Sequence, residues 1–255
     1  LIHMEEHFSK VHLSFGQKTL MILKVPKKYS TTEQICALLQ LKENGQQNLK
    51  QNKTNKKFVY LISPNKIKND IFYTDLALVL STKKINFFQL RLKEETSKNK
   101  LEIGKKIKKI CKRYKVKFLI NDEPELAKEL NADGCHLGQK DMNILKARKI
   151  LKKKIIGVTC HNSISLAKKA IAAGADYLAF GAFYSSKTKK VKYKANIKIL
   201  KLAKKITNIP IVAIGGIKLS NYKKLLLNKA NFLAISGYIW NNKKYKPLKA
   251  IKKLK

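Results

Sequence analysis

The sequence is poor in arginine, in acidic residues and in long apolar runs, and each shortage removes a class of function. Arg91, Arg113 and Arg148 are the only arginines among 255 residues, although lysine and arginine together number 56 against 16 acidic residues, a formal charge of +40. A basic surface attracts phosphate backbones, but arginine supplies the usual bidentate contact to a base and is nearly absent. The lysines run from end to end among many Asn and Ile instead of forming a patch. They read as a solvated surface with salt-sensitive, non-specific attraction to polyanions, so no specific nucleic-acid partner is expected. No apolar run approaches the ~18 residues of a membrane span, and the start lacks the basic-then-apolar pattern of a secretory signal. The expectation is a cytoplasmic protein with no membrane partner. Cys36, Cys111, Cys135 and Cys160 have no CxxC spacing, which argues against a zinc site or disulfide framework and for reduced, packed thiols.

What is present is a rhythm. The hydrophobic fraction of 44% supports a full core and excludes wholesale disorder. From Phe58 onward, apolar strand-like runs occur at 58–62, 85–90, 117–120, 134–137, 155–159, 176–180, 210–214 and 231–235. Segments with helical spacing lie between them, at Ser97–Tyr114, Glu125–Asn131, Ile144–Leu151, Ser163–Ala173, Asn196–Ile206 and Leu219–Leu227. Eight strand–helix units predict an α/β fold, a (β/α)8 TIM barrel over residues 58–255. The alternative is an open doubly wound sheet, but no Gly-rich dinucleotide fingerprint follows the first run. Residues 1–57 read as an N-terminal extension without assigned function. They comprise an alternating stretch near Thr19–Val25, a helix over Thr31–Leu41 and a polar linker, ENGQQNLKQNKTNKK. His3, His7 and His12 there lack any supporting Cys or carboxylate pattern and read as solvated.

In a barrel, groups at the C-terminal ends of the strands line the active site. The second run leads into Gln89, Arg91 and Lys93, which alternation sends to one side. A buried Arg needs an anion, whether a ligand or an internal partner such as Glu94 or Asp122. The third and fourth runs lead into Asn121, Asp122, His136, Gln139 and Asp141. Asp122 and Asp141 on neighbouring parallel strands would seat a hard cation such as magnesium; the alternative is that each caps the following helix. Thr159 ends the fifth run, and the neighbouring Cys160 and His161 face opposite ways, which argues against a nucleophile–base pair. Hydroxyls and amines crowd the loop through Ser186, Thr188 and Lys189, and glycines follow the seventh and eighth runs at Gly215-Gly216 and Gly237. Glycine-freed backbone there is the usual phosphate site of this fold. Two anion sites across one mouth suggest joining two phosphorylated small molecules with loss of pyrophosphate.

The segments QLRLK (89–93), ND (121–122), ADGCHLGQKD (132–141), GVTCH (157–161), GADYLAFGAFYSSKTK (174–189) and VAIGGI (212–217) resemble thiamine phosphate synthases, collinearly over roughly residues 58–240. The resemblance implies a transferase that couples an aminopyrimidine pyrophosphate to a thiazole phosphate, with Mg²⁺ as cofactor. It implies that Gln89, Arg91, Lys93 and Asn121 hold the aminopyrimidine pyrophosphate, with His136 also in the substrate site, and that Asp122 and Asp141 bind Mg²⁺. Thr159 would stand near the pyrophosphate, in place of the family's usual Ser, and Lys189 would contact the leaving group. Ser186 and Thr188 would face the thiazole phosphate, whose phosphate would meet Gly216, Ile235 and Ser236. Arg91, Lys93, Thr159 and Lys189 carry the implied chemistry. Three departures stand out: Ala182 replaces a common Pro, Lys187 intrudes in the same loop, and Ser63-Pro64-Asn65 replaces the more usual Thr-Asp after the first strand. Homo-oligomer formation stays open. Two rivals remain: a related thiazole tautomerase using His136 as acid–base group, which would have no need of the pyrophosphate and magnesium residues, and a catalytically silent basic barrel that binds RNA.

Overall fold

The computed structural model describes residues 8–13, 21–26, 57–67, 69–185 and 193–254, and the chain divides into two compact units, Leu1–Lys56 and Lys57–Lys255. In the first unit β1 (Phe8–Leu13) and β2 (Met21–Pro26) pair antiparallel, from Phe8 opposite Pro26 to Leu13 opposite Met21. The alternating stretch near Thr19–Val25 thus falls largely on a strand. The helix expected at Thr31–Leu41, the linker through residue 56, and His3, His7 and Cys36 lie outside the described residues.

The second unit is a closed barrel of eight parallel strands. These are β3 (Val59–Ile62), β4 (Ile85–Leu90), β5 (Lys117–Asn121), β6 (Gly134–Leu137), β7 (Ile155–His161), β8 (Tyr177–Phe180), β9 (Ile211–Ile214) and β10 (Phe232–Ile235), with β10 pairing back onto β3. The helices are α1 (Ile71–Ser81), α2 (Ser97–Arg113), α3 (Pro124–Glu129), α4 (Ile144–Leu151), α5 (Ile164–Ala172), α6 (Lys198–Ile206), α7 (Tyr222–Leu227), α8 (Gly237–Trp240) and α9 (Pro247–Lys253). Each of the eight apolar runs falls on one strand. Strand alternation sorts the core into two layers: Tyr60, Ile62, Leu119, Tyr177, Ala179, Val212 and Ala234 pack in one cluster, while Val59, Leu61, Phe88, Ile120, Leu178 and Leu233 belong to the larger one that includes the helices.

Polar residues set the helix starts. The Thr96 hydroxyl accepts from Asn99 N at 3.2 Å, the Ser163 hydroxyl from Leu166 N at 3.2 Å and the Asn143 side chain from Leu145 N at 2.8 Å. Helices α1, α8 and α9 are not legible from the spacing alone. In α1, Phe72, Leu76, Val79 and Leu80 are buried at helical intervals, but Ile71 and Leu78 are exposed and blur the pattern. No helix among the described residues is long and apolar enough to cross a membrane.

The barrel's N-terminal face carries a repeated device. The residue just before a strand accepts a hydrogen bond from the first part of the preceding strand: Asp133 from Phe118 N (2.9 Å), Asp176 from Ile156 N (2.7 Å) and Asn231 from Ile211 N (2.9 Å). Asp176 also meets Arg148 at 2.7 Å. This end of the fold serves stability. Asp176→Ala leaves the buried Ile156 N–H without its acceptor, which costs about 1–3 kcal/mol. The expected drop in unfolding midpoint is about 2–12 °C with kcat/KM unchanged; a calorimetric shift below about 1 °C would contradict this role.

Candidate active site

The opposite face gathers the ionisable groups. Gln89, the penultimate residue of β4, is buried, and its Nε2 donates to Asn121 Oδ1 at 3.2 Å, tying the ends of β4 and β5 together. The Arg91 backbone follows with its N–H on Ser63 Oγ at 2.9 Å, while its Nη1 donates to Asn65 Oδ1 at 3.0 Å. Neither internal ion pair considered for Arg91 is formed among the described residues: Glu94 pairs with Lys66 at 3.0 Å and Asp122 with Lys93. Burial pulls the Arg91 guanidinium pKa down, and the negative charge of Asp122 opposes it. An arriving anion would relieve that desolvation. Ser63 joins three strand ends, because its N–H donates to Gln89 O at 2.9 Å and its carbonyl accepts from Ser236 Oγ at 2.9 Å.

Asp122 and Asp141 are brought together, and neither caps a helix. Glu123 precedes α3 without a side-chain cap, Asn143 caps α4, and Asp141 Oδ2 instead accepts from Gly138 N at 2.6 Å. Asp122 takes a left-handed backbone, φ 66°, with its N–H donating to His136 O at 2.8 Å. Its Oδ2 lies 2.9 Å from Lys93 Nζ. Burial works to raise the Asp122 carboxyl pKa, but hydrogen bonds with Asp141 and Lys93 hold it below the usual range. Asp141 is raised by burial and by its hydrogen bond to Asp122. Two carboxylates this close need a proton or a cation between them. A cleft lined by Lys93, Lys100, Asn121, Asp122 and Glu123 opens beside them, with Lys100 held by Glu123 at 2.5 Å. Among the described residues no cluster of three His, Cys, Asp or Glu side chains is arranged to ligate a metal. A two-carboxylate seat fits magnesium, which keeps waters and takes substrate phosphate oxygens.

His136 lies behind this pair, buried, with both ring nitrogens engaged by hydroxyls. Nε2 is 2.8 Å from Thr159 Oγ1 and Nδ1 is 2.8 Å from Tyr177 Oη, which is itself 2.8 Å from Tyr60 Oη. Burial pushes the imidazole down to about 4, against the opposing pull of Asp122. The Gln139 amide reaches the Thr159 carbonyl. Cys160 is buried with its thiol pushed up to about 12, and the His161 ring lies tilted against Tyr193 with ring centroids 4.2 Å apart, so the two form no nucleophile–base pair.

At the ends of β9 and β10, Gly216 takes φ 60°, and a Cβ there would sit 2.3 Å from Ser185 O, so only glycine lets the two loops touch. Ile235 is buried and offers backbone only, and the Ser236 hydroxyl is spent on Ser63 O. Ser186, Lys187, Thr188 and Lys189 lie outside the described residues. Four contributors escape a reading by sequence. Ser63 and Asn65 look like a loop, while Tyr60 and Tyr177 look like core aromatics in apolar runs.

A closed parallel barrel with its basic and paired acidic groups at one mouth defines the class, a (β/α)8 barrel whose site suits anionic small molecules. Comparison with known proteins narrows it. The family model described as thiamine monophosphate synthase matches residues 59–239. The chain is 81% identical over 207 residues to the thiamine-phosphate synthase of Pelagibacter ubique, covering 81% of this chain and 100% of that one. It is 41% identical over 184 residues to that of Nitrosomonas eutropha, covering 72% and 86%. Among solved structures, thiamine phosphate pyrophosphorylase from Pyrococcus furiosus superposes with a TM-score of 0.67 at 28% identity, over 78% of this chain and 94% of that one. A 3-hexulose-6-phosphate synthase, at 17% identity and TM-score 0.56, shares the fold alone. The chain belongs to the thiamine monophosphate synthase family. The tautomerase and RNA-binding readings gain nothing from these likenesses.

Proposed function

We propose that the chain couples 4-amino-2-methyl-5-hydroxymethylpyrimidine pyrophosphate to 4-methyl-5-(2-phosphoethyl)thiazole, giving thiamine phosphate and pyrophosphate. The observation that carries this reading is the Asp122–Asp141 pair beside Lys93 in a chain 81% identical to a thiamine-phosphate synthase. The substrates are two phosphorylated small molecules, met in the cytoplasm with no nucleic-acid or membrane partner. The excess of lysine gives an attractive field for both anions.

Gln89 and Asn121 orient the aminopyrimidine, while Arg91 and Lys93 face its pyrophosphate, the leaving group to which the family resemblance also assigns Lys189. Asp122 and Asp141 hold magnesium, which when bound would neutralise pyrophosphate charge and polarise its oxygens. The bond from the pyrimidine methylene to the pyrophosphate oxygen breaks, its electron pair leaves with the pyrophosphate, and the thiazole nitrogen lone pair forms the new carbon–nitrogen bond. No proton needs to move and no side chain acts as nucleophile. The residues act through charge placed where the leaving group gains it. The family resemblance assigns Ser186 and Thr188 to the thiazole side, and Gly216, Ile235 and Ser236 seat its phosphate through backbone groups.

The test mixes the full chain with both precursors and magnesium, and follows thiamine phosphate and pyrophosphate with and without a chelator. Equal release of both products, lost with chelator and restored by added magnesium, is the expected result. Folded protein that forms neither product would overturn the reading.

A further inference from the structure

The line of side chains from Thr159 into the barrel has an open end and a closed end. Thr159 is partly exposed near the mouth, two residues before β7 ends at His161. His136 and Tyr177 follow, and Tyr60 ends the line, nearly inaccessible among Ile62, Phe87, Val212 and Ala234. Tyr177 can lie across the barrel because its neighbour is Gly157, where a Cβ would come within 1.8 Å of the phenol ring. The ring also stacks on His136, 5.6 Å between centroids and 17° from parallel.

The closed end decides which way the hydrogen bonds point. A phenol has one proton, and the partner found for the Tyr60 hydroxyl among the described residues is Tyr177 Oη. A buried donor without an acceptor is worse than a buried oxygen with an unused lone pair. Tyr60 therefore donates to Tyr177, Tyr177 spends its own proton on His136 Nδ1, and the imidazole proton must sit on Nε2, where it donates to Thr159 Oγ1. A doubly protonated ring fails by the same count. It would donate to both hydroxyls, turn Tyr177 onto Tyr60 and leave the Tyr60 proton in an apolar pocket.

We propose that Tyr60, Tyr177 and His136 form a one-way positioning line that holds His136 as the Nε2–H tautomer and leaves the Thr159 proton free to point at the anionic leaving group. His136 is then a positioning residue that acts through Thr159. The line moves no proton; it orients a donor, and each bond polarises the next. The second half of the inference rests on the proposed place of Thr159 beside the pyrophosphate.

The test has two readouts. In the full chain labelled with ¹⁵N histidine, two-bond proton–nitrogen correlations identify the tautomer at neutral pH, and the His136→Gln variant assigns the signal among the five histidines. A neutral Nε2–H form in excess of roughly tenfold is expected. An Nδ1–H form, a mixture of comparable populations or an imidazolium would overturn the inference. The second readout is Tyr177→Phe, which releases Nδ1. The expected result is a tautomer mixture and a kcat lower by about 3- to 10-fold with KM for both substrates unchanged. A folded Tyr177→Phe protein with the wild-type tautomer and wild-type kcat would also overturn it. Absence of product with the wild-type chain would instead strike the synthase reading, and the tautomer readout would still judge the hydrogen-bond direction.

Discussion

Asp122→Asn lowers magnesium-dependent coupling by about 10²- to 10³-fold while the barrel keeps its fold. Asn is the conservative probe for two reasons. The residue sits at φ 66°, a region in which Asn is among the better tolerated non-glycine residues. Its backbone N–H, which donates to His136 O at 2.8 Å, is also retained. The ion pair to Lys93 is lost, but Lys93 is half exposed and such pairs add little to stability. What disappears is one of two negative charges at the proposed magnesium seat. The shortfall should shrink in part at high magnesium concentration, because a weakened seat fills by mass action. Steady-state kinetics across a magnesium titration, beside a thermal melt, would check this. Unaltered kcat/KM in a folded Asp122→Asn protein would remove Asp122 from the metal site.

Gly157→Ala is expected to produce a large loss of stability from a single methyl group. The added Cβ would come within 1.8 Å of Tyr177 Cζ and 2.2 Å of Cε1, far inside contact distance. The ring cannot withdraw cheaply, because its hydroxyl bridges Tyr60 and His136 at 2.8 Å each. Overpacking of this kind costs about 1–3 kcal/mol, and a broken buried hydrogen bond adds about 1 kcal/mol more. The unfolding midpoint should fall by about 4–16 °C. In the double variant Gly157→Ala/Tyr177→Leu the clash is absent, so the two single losses should not add. A Gly157→Ala melt indistinguishable from wild type would mean that the Tyr177 ring does not cross the barrel at this point.

Most of the barrel was legible because parallel strands covered on both faces read as short apolar runs, and all eight runs became strands. Legibility failed where apolar residues did not keep to one face. Helix α1 hides its period behind exposed Ile71 and Leu78, and α9 is a single short stretch after Pro247 whose Ala250 and Ile251 are buried. At the site, the residue types and their order placed Gln89, Asn121, Asp122, His136 and Thr159 at or near strand ends, where the structure has them, while Asp141 lies in the loop after β6.

The sequence by itself therefore determined the eightfold strand–helix repeat, the end of the barrel that carries ionisable groups, and the family to which the chain belongs. These follow from local periodicity and short motifs, which need no knowledge of long-range contacts. Tertiary structure decided the partners. Whether Asp122 caps a helix or faces Asp141, and whether Arg91 meets a carboxylate or Asn65, depends on which strand ends the barrel closure sets side by side. The same holds for Tyr60 and Tyr177, 117 residues apart. Each reads as an ordinary core aromatic, and they meet only because a closed sheet turns their strands inward toward one another.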